Sequence, residues 1–336
     1  MPPVPPANEA SIPSALPLRR VPGLALYGWV LAGLVVTWAA SMSFVSGWSW
    51  FEEHWEMSLT MAFGSFVAGS TPAGGASVAF PVFTKLLAID SHAAATFGLM
   101  IQSIGMSMAA VFIVARGIPL YTSILRWGAT GGSVGVLLGV AFLRVPAPYP
   151  KLLFSVLVFT FAVALWRTRR RQPTACGVRE RDRLRFILTG VVGGVLASQT
   201  GSGADMLVFM VMMIAYRLDG KRAIPTSVCI MAVVSIVGSL GVLLMPHRDI
   251  GVVWQYWAVC VPVVAIGAPF GAYVISKVPH RYIVMVVMSL IAVEVMSTLT
   301  LVPLTLPRIA FVLVILVIAG VVQWRLHRFA LASSDS

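Results

Sequence analysis

Two short stretches, Gly69-Ser-Thr-Pro-Ala-Gly-Gly-Ala-Ser77 and Ala197-Ser-Gln-Thr-Gly-Ser-Gly-Ala-Asp205, interrupt apolar segments at corresponding places in the two halves of the chain. Glycines and hydroxyl side chains in the middle of such a segment do not stabilise a helix. Backbone that leaves the helix inside a bilayer strands N–H and C=O groups, which is tolerated only where protein, water or a ligand satisfies them. The two stretches are therefore predicted to be breaks in membrane helices.

The composition is that of an integral membrane protein. Hydrophobic residues make up 58% of the 336 residues and charged residues 11%, with a mean hydropathy of +0.90, whereas an ordinary soluble domain is roughly 25% charged. The net charge of +12 does not indicate a nucleic-acid partner, because the basic residues lie mainly between apolar segments and orient the chain in the membrane. The isolated cysteines Cys176, Cys229 and Cys260 predict neither a disulfide framework nor a metal site.

Eight apolar stretches match the length of roughly 20 residues that crosses a bilayer as a helix. They are 24–45, 93–115, 120–143, 152–166, 223–245, 252–276, 282–302 and 308–324. The first is longer than the apolar core of a signal peptide, so it is interpreted as a retained helix. The two stretches that contain the breaks, 58–89 and 186–216, are longer, and each is either a broken span or a re-entrant pair of half-helices.

The charges of the loops favour re-entrance, because Lys and Arg concentrate on the cytoplasmic side. The arginine-rich linker 167–185 should be cytoplasmic. Re-entrance then also places the basic loop 217–222 and both termini inside, and the acidic loop 52–56 outside. Two full spans would instead put loop 217–222 and the C-terminus outside.

The sequence thus predicts an all-α integral membrane protein with about eight transmembrane helices and two re-entrant broken-helix segments, arranged as two inverted repeats. Its expected parts are a disordered cytoplasmic tail (1–22), an N-terminal half (23–166), a basic cytoplasmic linker (167–185), a C-terminal half (186–325) and a cytoplasmic tail (326–336). Matched broken segments in the two halves of a membrane protein are the best sequence indication of a transporter's binding site.

The chain resembles the sulfite exporter TauE/SafE family, the four-transmembrane-repeat anion permeases. The resemblance covers about residues 60–325 and is carried by Phe66–Ser77 and Gly190–Gly203, each followed by an apolar run and then by Ala93–Thr96 or Arg222–Ser227. It departs from the family pattern at Thr71-Pro72-Ala73, where a glycine-rich stretch is usual, and in the proline-rich N-terminus. The resemblance implies export of sulfite or of a small organosulfonate such as sulfoacetate.

The physics of the breaks also favours an anion. A helix that restarts inside the membrane presents unpaired N–H groups and a positive dipole end at its start, and two such ends facing each other would cradle an anion near the midplane. The alternative is that these small residues only permit close helix packing. The predicted substrate-binding residues are Ser70, Thr71, Gly74, Gly75, Ser77, Gln102, Ser198, Gln199, Thr200, Gly201, Ser202 and Gly203.

Three charged residues lie within apolar segments: Lys85, Asp205 and Glu294. Asp205 is a candidate proton-coupling group, because it would repel an anion when ionised and could donate a hydrogen bond when protonated. Its alternative role is to accept amides at the start of the restarted half-helix. Glu294 is interpreted as a structural acid bonded to a neighbouring helix, with a position along the transport pathway as the alternative. Lys85 is interpreted as a side chain that reaches the outer surface.

These observations predict a secondary transporter of the plasma (inner) membrane, not an enzyme, with no cofactor. All five histidines lie in or near predicted loops, no catalytic constellation is visible, and neither glycine-rich stretch is a phosphate-binding P-loop. The expected partners are a small anion, the lipid bilayer and protons as coupling ion, and alternating access is the expected mechanism. The alternatives are an anion channel and a permease for a non-sulfur organic anion.

Overall fold

The structure, a computed structural model, describes residues 23–168, 178–245, 250–275, 277–278, 280–303 and 305–332. The predicted tail 1–22, the linker residues 169–177 and the last four residues lie outside this part of the chain. The described residues form helices and no strands. In chain order the helices are α1 (Gly23–Phe44), α2 (Trp50–Glu53), α3 (Trp55–Ser70), α4 (Ala76–Pro81), α5 (Ser91–Ala115), α6 (Thr122–Phe142), α7 (Tyr149–Thr168), α8 (Arg183–Thr200), α9 (Ala204–Ile214), α10 (Gly220–Leu244), α11 (Gly251–Ile275), α12 (His280–Leu301) and α13 (Leu306–Ala332).

Eight of these helices are long and apolar enough to cross a membrane, which confirms the predicted all-α membrane fold and the number of spans. They are α1, α5, α6, α7, α10, α11, α12 and α13. Most residues of α5 and α10 are buried among the other helices, whereas almost none of the residues of α1 and α13 are fully buried. Partly exposed apolar side chains along a whole helix are typical of a helix at the lipid-facing edge of a membrane protein.

The two remaining apolar segments are broken helices, as the sequence predicts. The first consists of α3 and α4, which continues through a π-helical turn at Val82–Leu86, and the second consists of α8 and α9. After each break the chain returns to the middle of its first helix: a Cβ on Gly75 would lie 3.3 Å from Gly64 O, and a Cβ on Gly193 would lie 2.6 Å from Ala204 Cα. We call the two segments hairpin 1 (residues 55–86) and hairpin 2 (residues 183–214).

The two hairpins end at opposite ends of α7. In hairpin 1, the Phe80 ring is 5.0 Å from that of Phe154, and Thr84 O accepts a hydrogen bond from Lys151 Nζ at the first turn of α7. In hairpin 2, α9 runs the other way: Phe209 packs on Phe161, and Ile214 lies beside the last residues of α7. Hairpin 2 also closes on itself, because Arg185 Nη1 donates to the Tyr216 hydroxyl oxygen at 3.3 Å.

The hairpins pack crosswise, each against a spanning helix of the other half of the chain. Helix α3 lies along α11 in parallel, with Ser58 donating to Val259 O at 2.9 Å and Ser65 against Gly267. Helix α8 lies along α6, where a Cβ on Gly131 or Gly135 would overlap the carbonyl groups of α8. Glycine at these contacts lets the two backbones approach more closely than any side chain would allow.

Candidate anion-binding site

The two helix breaks meet at Gly74. This residue has a φ of +68°, which glycine adopts without strain, and it turns the chain from α3 into α4. A Cβ added at Gly74 would lie 3.0 Å from Asp205 Oδ2, 3.0 Å from Ser202 Oγ and 3.2 Å from Gln102 Oε1. The backbone of the first break is therefore in direct contact with polar side chains of the second break and of α5. We call these four residues, Gly74, Gln102, Ser202 and Asp205, the central cluster.

Helix α5 supplies Gln102 and closes the cluster from one side. Gly98 lies so close to the second break that a Cβ there would be 2.9 Å from Gly201 Cα, and one turn later Gln102 Nε2 donates to Gly201 O. The other amide atom, Gln102 Oε1, is buried and has no hydrogen-bond partner among the described residues. A buried acceptor without a donor is costly, so this atom marks a place where a donor is missing.

Asp205 accepts the donors of the second break. Its Oδ1 receives hydrogen bonds from Met206 N at 2.9 Å, Ser202 Oγ at 3.1 Å and Gly203 N at 3.2 Å. These bonds place the negative carboxylate at the start of α9, where the helix dipole is positive. The predicted alternative for Asp205, accepting amides of the restarted half-helix, is thus observed in the structure.

The central cluster is closed to solvent. Ser202 and Asp205 have an exposed fraction of 0% and Gln102 of 2%. The Ser202 hydroxyl donates to Asp205, and the Gln102 amide nitrogen donates to the neighbouring Gly201 carbonyl. An anion could therefore bind here only if the surrounding helices move and the internal hydrogen bonds are exchanged.

The other predicted residues divide into two groups. Thr71, Ser77 and Thr200 lie at the breaks, with their hydroxyl groups bonded to nearby backbone carbonyls at Val67, Gly74 and Ser202, and Gly75 and Gly203 shape the two turns. In the second group, Ser70 bonds to Val67 O and its backbone lies beside Gly271 of α11. The side chains of Ser198 and Gln199 point away from the central cluster: Ser198 lies against Gly139 of α6, and Gln199 bonds to backbone groups of Leu143 and Val145.

The prediction that Lys85 reaches the outer surface is wrong. Its side chain is 2% exposed and forms a salt bridge with Glu294, whose side chain is 3% exposed. Lys85 Nζ also donates to Ser297 Oγ and Thr298 Oγ1, and Ser155 of α7 donates to Glu294 Oε1 at 2.7 Å. Glu294 is thus bonded to neighbouring helices, as interpreted from the sequence.

Sequence reasoning missed Ser155, Ser297 and Thr298 as polar partners of this ion pair. The spacing of Ser297 and Thr298, three and four residues after Glu294, puts them on the same helix face and could have indicated a local polar cluster. No pattern in the sequence connects Ser155 or Lys85 to Glu294, since Lys85 and Glu294 are 209 residues apart.

Eight spanning helices around two hairpins whose breaks meet at a buried polar cluster define a multi-pass membrane protein of the permease type. The chain belongs to the sulfite exporter TauE/SafE family, whose family model matches residues 57–297. The resemblance seen in the sequence is confirmed, and the match contains both breaks. Membership implies a permease that carries an anion across a membrane, and it is consistent with the expectation that the chain is not an enzyme. Comparisons with curated proteins and with solved structures returned no match.

Proposed function

We propose that this chain is a secondary transporter that exports sulfite or a small organosulfonate, such as sulfoacetate, across the plasma membrane. The observation that carries the proposal is the meeting of the two breaks at Gly74, Ser202 and Asp205. Non-helical backbone at membrane depth is tolerated where it lines a site, and the starts of α4 and α9 bring positive dipole ends to that place. Family membership supports the choice of an anion.

Proton coupling through Asp205 follows from the hydrogen bonds of the central cluster. The ionised carboxylate occupies three donors, from Ser202, Gly203 and Met206, and its charge repels an anion. Protonation of Asp205 removes that charge and weakens the three hydrogen bonds that the carboxylate accepts. The three donors can then form hydrogen bonds with an oxygen of an incoming sulfonate. Gln102 Oε1 has no donor among the described residues, and it lies close to Gly74, as the Asp205 carboxyl group does. Protonation of Asp205 and anion binding are therefore linked in this proposal.

Alternating access by two inverted repeats is supported by how the hairpins pack. Each hairpin lies against a spanning helix of the other half, and the two hairpins end at opposite ends of α7. In such an arrangement, movement of one half relative to the other opens the central cluster to one side while closing it to the other. The proposed orientation has both termini in the cytoplasm, with hairpin 1 entering from outside and hairpin 2 from inside.

Uptake into proteoliposomes tests the proposal. Purified protein should concentrate radiolabelled sulfite or sulfoacetate when a proton gradient is imposed, and liposomes without protein should not. Flux that only runs down its own gradient would assign the chain to the anion channels. Flux of a carboxylate anion in the absence of any sulfur oxyanion flux would identify a permease for a non-sulfur anion and would contradict the proposed substrate.

A further inference from the structure

The loop between α9 and α10, taken here together with the first turn of α10 as residues 215–222, carries two arginines that each have a buried nitrogen atom without a partner among the described residues. Arg217 Nε and Arg222 Nε are both buried, and neither makes a hydrogen bond within the described residues. Arg222 stacks on the Tyr121 ring, with Cζ 4.9 Å from its centroid. Burying an N–H donor of a charged group without a hydrogen bond costs free energy, so these two atoms indicate a missing acceptor.

The carboxylates near this loop are engaged elsewhere. Asp219 Oδ1 accepts the Lys221 amide at the start of α10, and Asp182 is bonded to Arg185 at 3.0 Å. Neither forms an ion pair with Arg217 or Arg222 within the described residues. The position of Arg222 is fixed through Tyr121, whose hydroxyl oxygen accepts from Asp219 N at 3.2 Å. The loop is thus held in place, and no carboxylate of the described residues forms an ion pair with either of its two guanidinium groups.

Arg217 occupies a backbone position that does not favour arginine. Its φ is +47° in the turn that follows hairpin 2, and a residue in this conformation after a helix is commonly glycine. A residue with a side chain pays a conformational cost in this left-handed region. Ala88 has the corresponding position after hairpin 1, with a φ of +53°. The same wide backbone turn closes both hairpins: Ile89 N donates to Phe83 O after hairpin 1, and Leu218 N donates to Met212 O after hairpin 2. The guanidinium at residue 217 is therefore not needed to make the turn.

We propose that Arg217 and Arg222 form a second anion site, which binds the oxygens of a sulfonate, sulfite or phosphate group at the end of hairpin 2. A guanidinium offers Nε–H and Nη–H donors in a fork that matches two oxygens of such a group. The bound group belongs either to a free anion or to the headgroup of an anionic lipid. A free anion bound here is held at the end of hairpin 2 before it enters the central cluster. This role in collecting the exported anion rests on the proposed function, whereas binding itself does not.

The variants that test this site are Arg217→Gly and Arg222→Gln. Glycine suits the backbone at residue 217, so Arg217→Gly should unfold at a temperature no lower than the wild-type chain. Two matched controls are Ala88→Gly, which makes the same backbone change at the other hairpin, and Lys221→Gln, which removes an exposed positive charge from the same loop.

Binding is measured by calorimetry with sulfoacetate and by native mass spectrometry with phosphatidylglycerol, in the wild-type background and with Gly74→Ala to remove binding at the central cluster. We expect Arg217→Gly and Arg222→Gln each to weaken one of the two ligands at least tenfold, and the two controls to change both less than twofold. Weaker sulfoacetate binding in the arginine variants identifies a free anion as the ligand, and weaker binding of phosphatidylglycerol identifies a lipid headgroup.

Unchanged binding of both ligands in the two arginine variants would overturn the site. An equal loss in Lys221→Gln would do the same, since it would reduce the effect to general charge attraction. Failure of the proposed function looks different. In that case the wild-type chain moves no sulfur oxyanion in proteoliposomes, while the arginine variants still lose binding.

Discussion

Gly74 combines a left-handed backbone with contact to three polar side chains, and a single methyl group should disturb both. In Gly74→Ala, the added Cβ would lie 3.0 Å from Asp205 Oδ2 and from Ser202 Oγ, which is too close without a shift of the cluster. We expect anion flux in proteoliposomes to fall at least tenfold. The matched control is Gly117→Ala, because Gly117 has a φ of +65° and nothing within 4 Å of its Cβ position. Equal loss of flux in both variants would mean that backbone strain alone is responsible.

Asp205→Asn tests the proposed proton coupling. Asparagine keeps an oxygen that can accept the amides of Gly203 and Met206, and it resembles the protonated acid in having no charge. We expect wild-type flux to rise as the pH falls and a proton gradient to drive it, whereas the variant should lose both the pH dependence and the response to the gradient. The initial rate of uptake is measured at a series of pH values from acidic to alkaline, with and without a proton gradient. Normal flux with an unchanged dependence on protons would contradict the role of Asp205.

The buried Lys85–Glu294 pair predicts a characteristic pattern of stability. Glu294→Gln leaves the Lys85 ammonium group buried without a counter-charge, and removing one partner of a buried pair costs about 3–5 kcal/mol. The double variant Lys85→Met with Glu294→Leu leaves no buried charge and should recover most of the lost stability. Thermal unfolding in detergent measures both. If the double variant is as unstable as Glu294→Gln, the effect is due to packing and not to an unpaired charge.

Among individual residues, the sequence predicts those whose chemistry is unusual for an apolar segment. Gly74, Ser202 and Asp205 stand out because glycines, hydroxyls and a carboxylate are unusual in an apolar segment, and the structure brings all three together. The same rule selected Ser198 and Gln199, which face α6 and residues 143–145 instead. Which face of a half-helix points to the centre depends on packing against distant helices, and one sequence carries no signal for it.

At the scale of elements, glycine contacts hold α6 against α8. A Cβ on Gly135 would overlap the carbonyl of Val191, so Gly135→Leu must push the two helices apart. Overpacking of this kind typically costs about 1–3 kcal/mol, and the thermal midpoint in detergent should fall accordingly. Gly33→Leu on α1 is the control, because a Cβ there meets nothing within 4 Å. A variant at residue 135 as stable as that control would contradict the close approach of the two backbones.

The existence of the helices could be predicted from the sequence, and their partners could not. Length and hydropathy identify the eight spans because a bilayer imposes both on any helix that crosses it. The pairing of α3 with α11 and of α8 with α6 depends on shape complementarity between distant segments. Glycines such as Gly131 and Gly267 occur at these contacts, but glycine is common in membrane helices and does not name its partner.

For the whole molecule, the proposed orientation predicts which loops a reagent can reach from outside the cell. We expect a cysteine at Glu53 to react with an impermeant maleimide in intact cells and a cysteine at Lys221 to react only after permeabilisation. Both side chains are exposed, and the native Cys229 and Cys260 are buried. Cys176 is replaced by serine to remove it from the measurement. Labelling of both loops from outside would show that one of the two hairpins crosses the membrane instead of returning to the side from which it enters.

The crosswise packing of the hairpins has a consequence for biosynthesis. Ser58 of hairpin 1 and its acceptor Val259 are 201 residues apart, a distance that a ribosome covers in roughly 10–40 s at the usual rate of elongation. During that interval α3 has been made but α11 has not. The face of α3 that carries Ser58, Ser65 and Gly69, and the polar backbone of the first break, must therefore stay in the membrane without their final neighbours. The N-terminal half should therefore depend on a membrane chaperone or on the insertion machinery until α11 arrives, and it should be degraded when expressed alone.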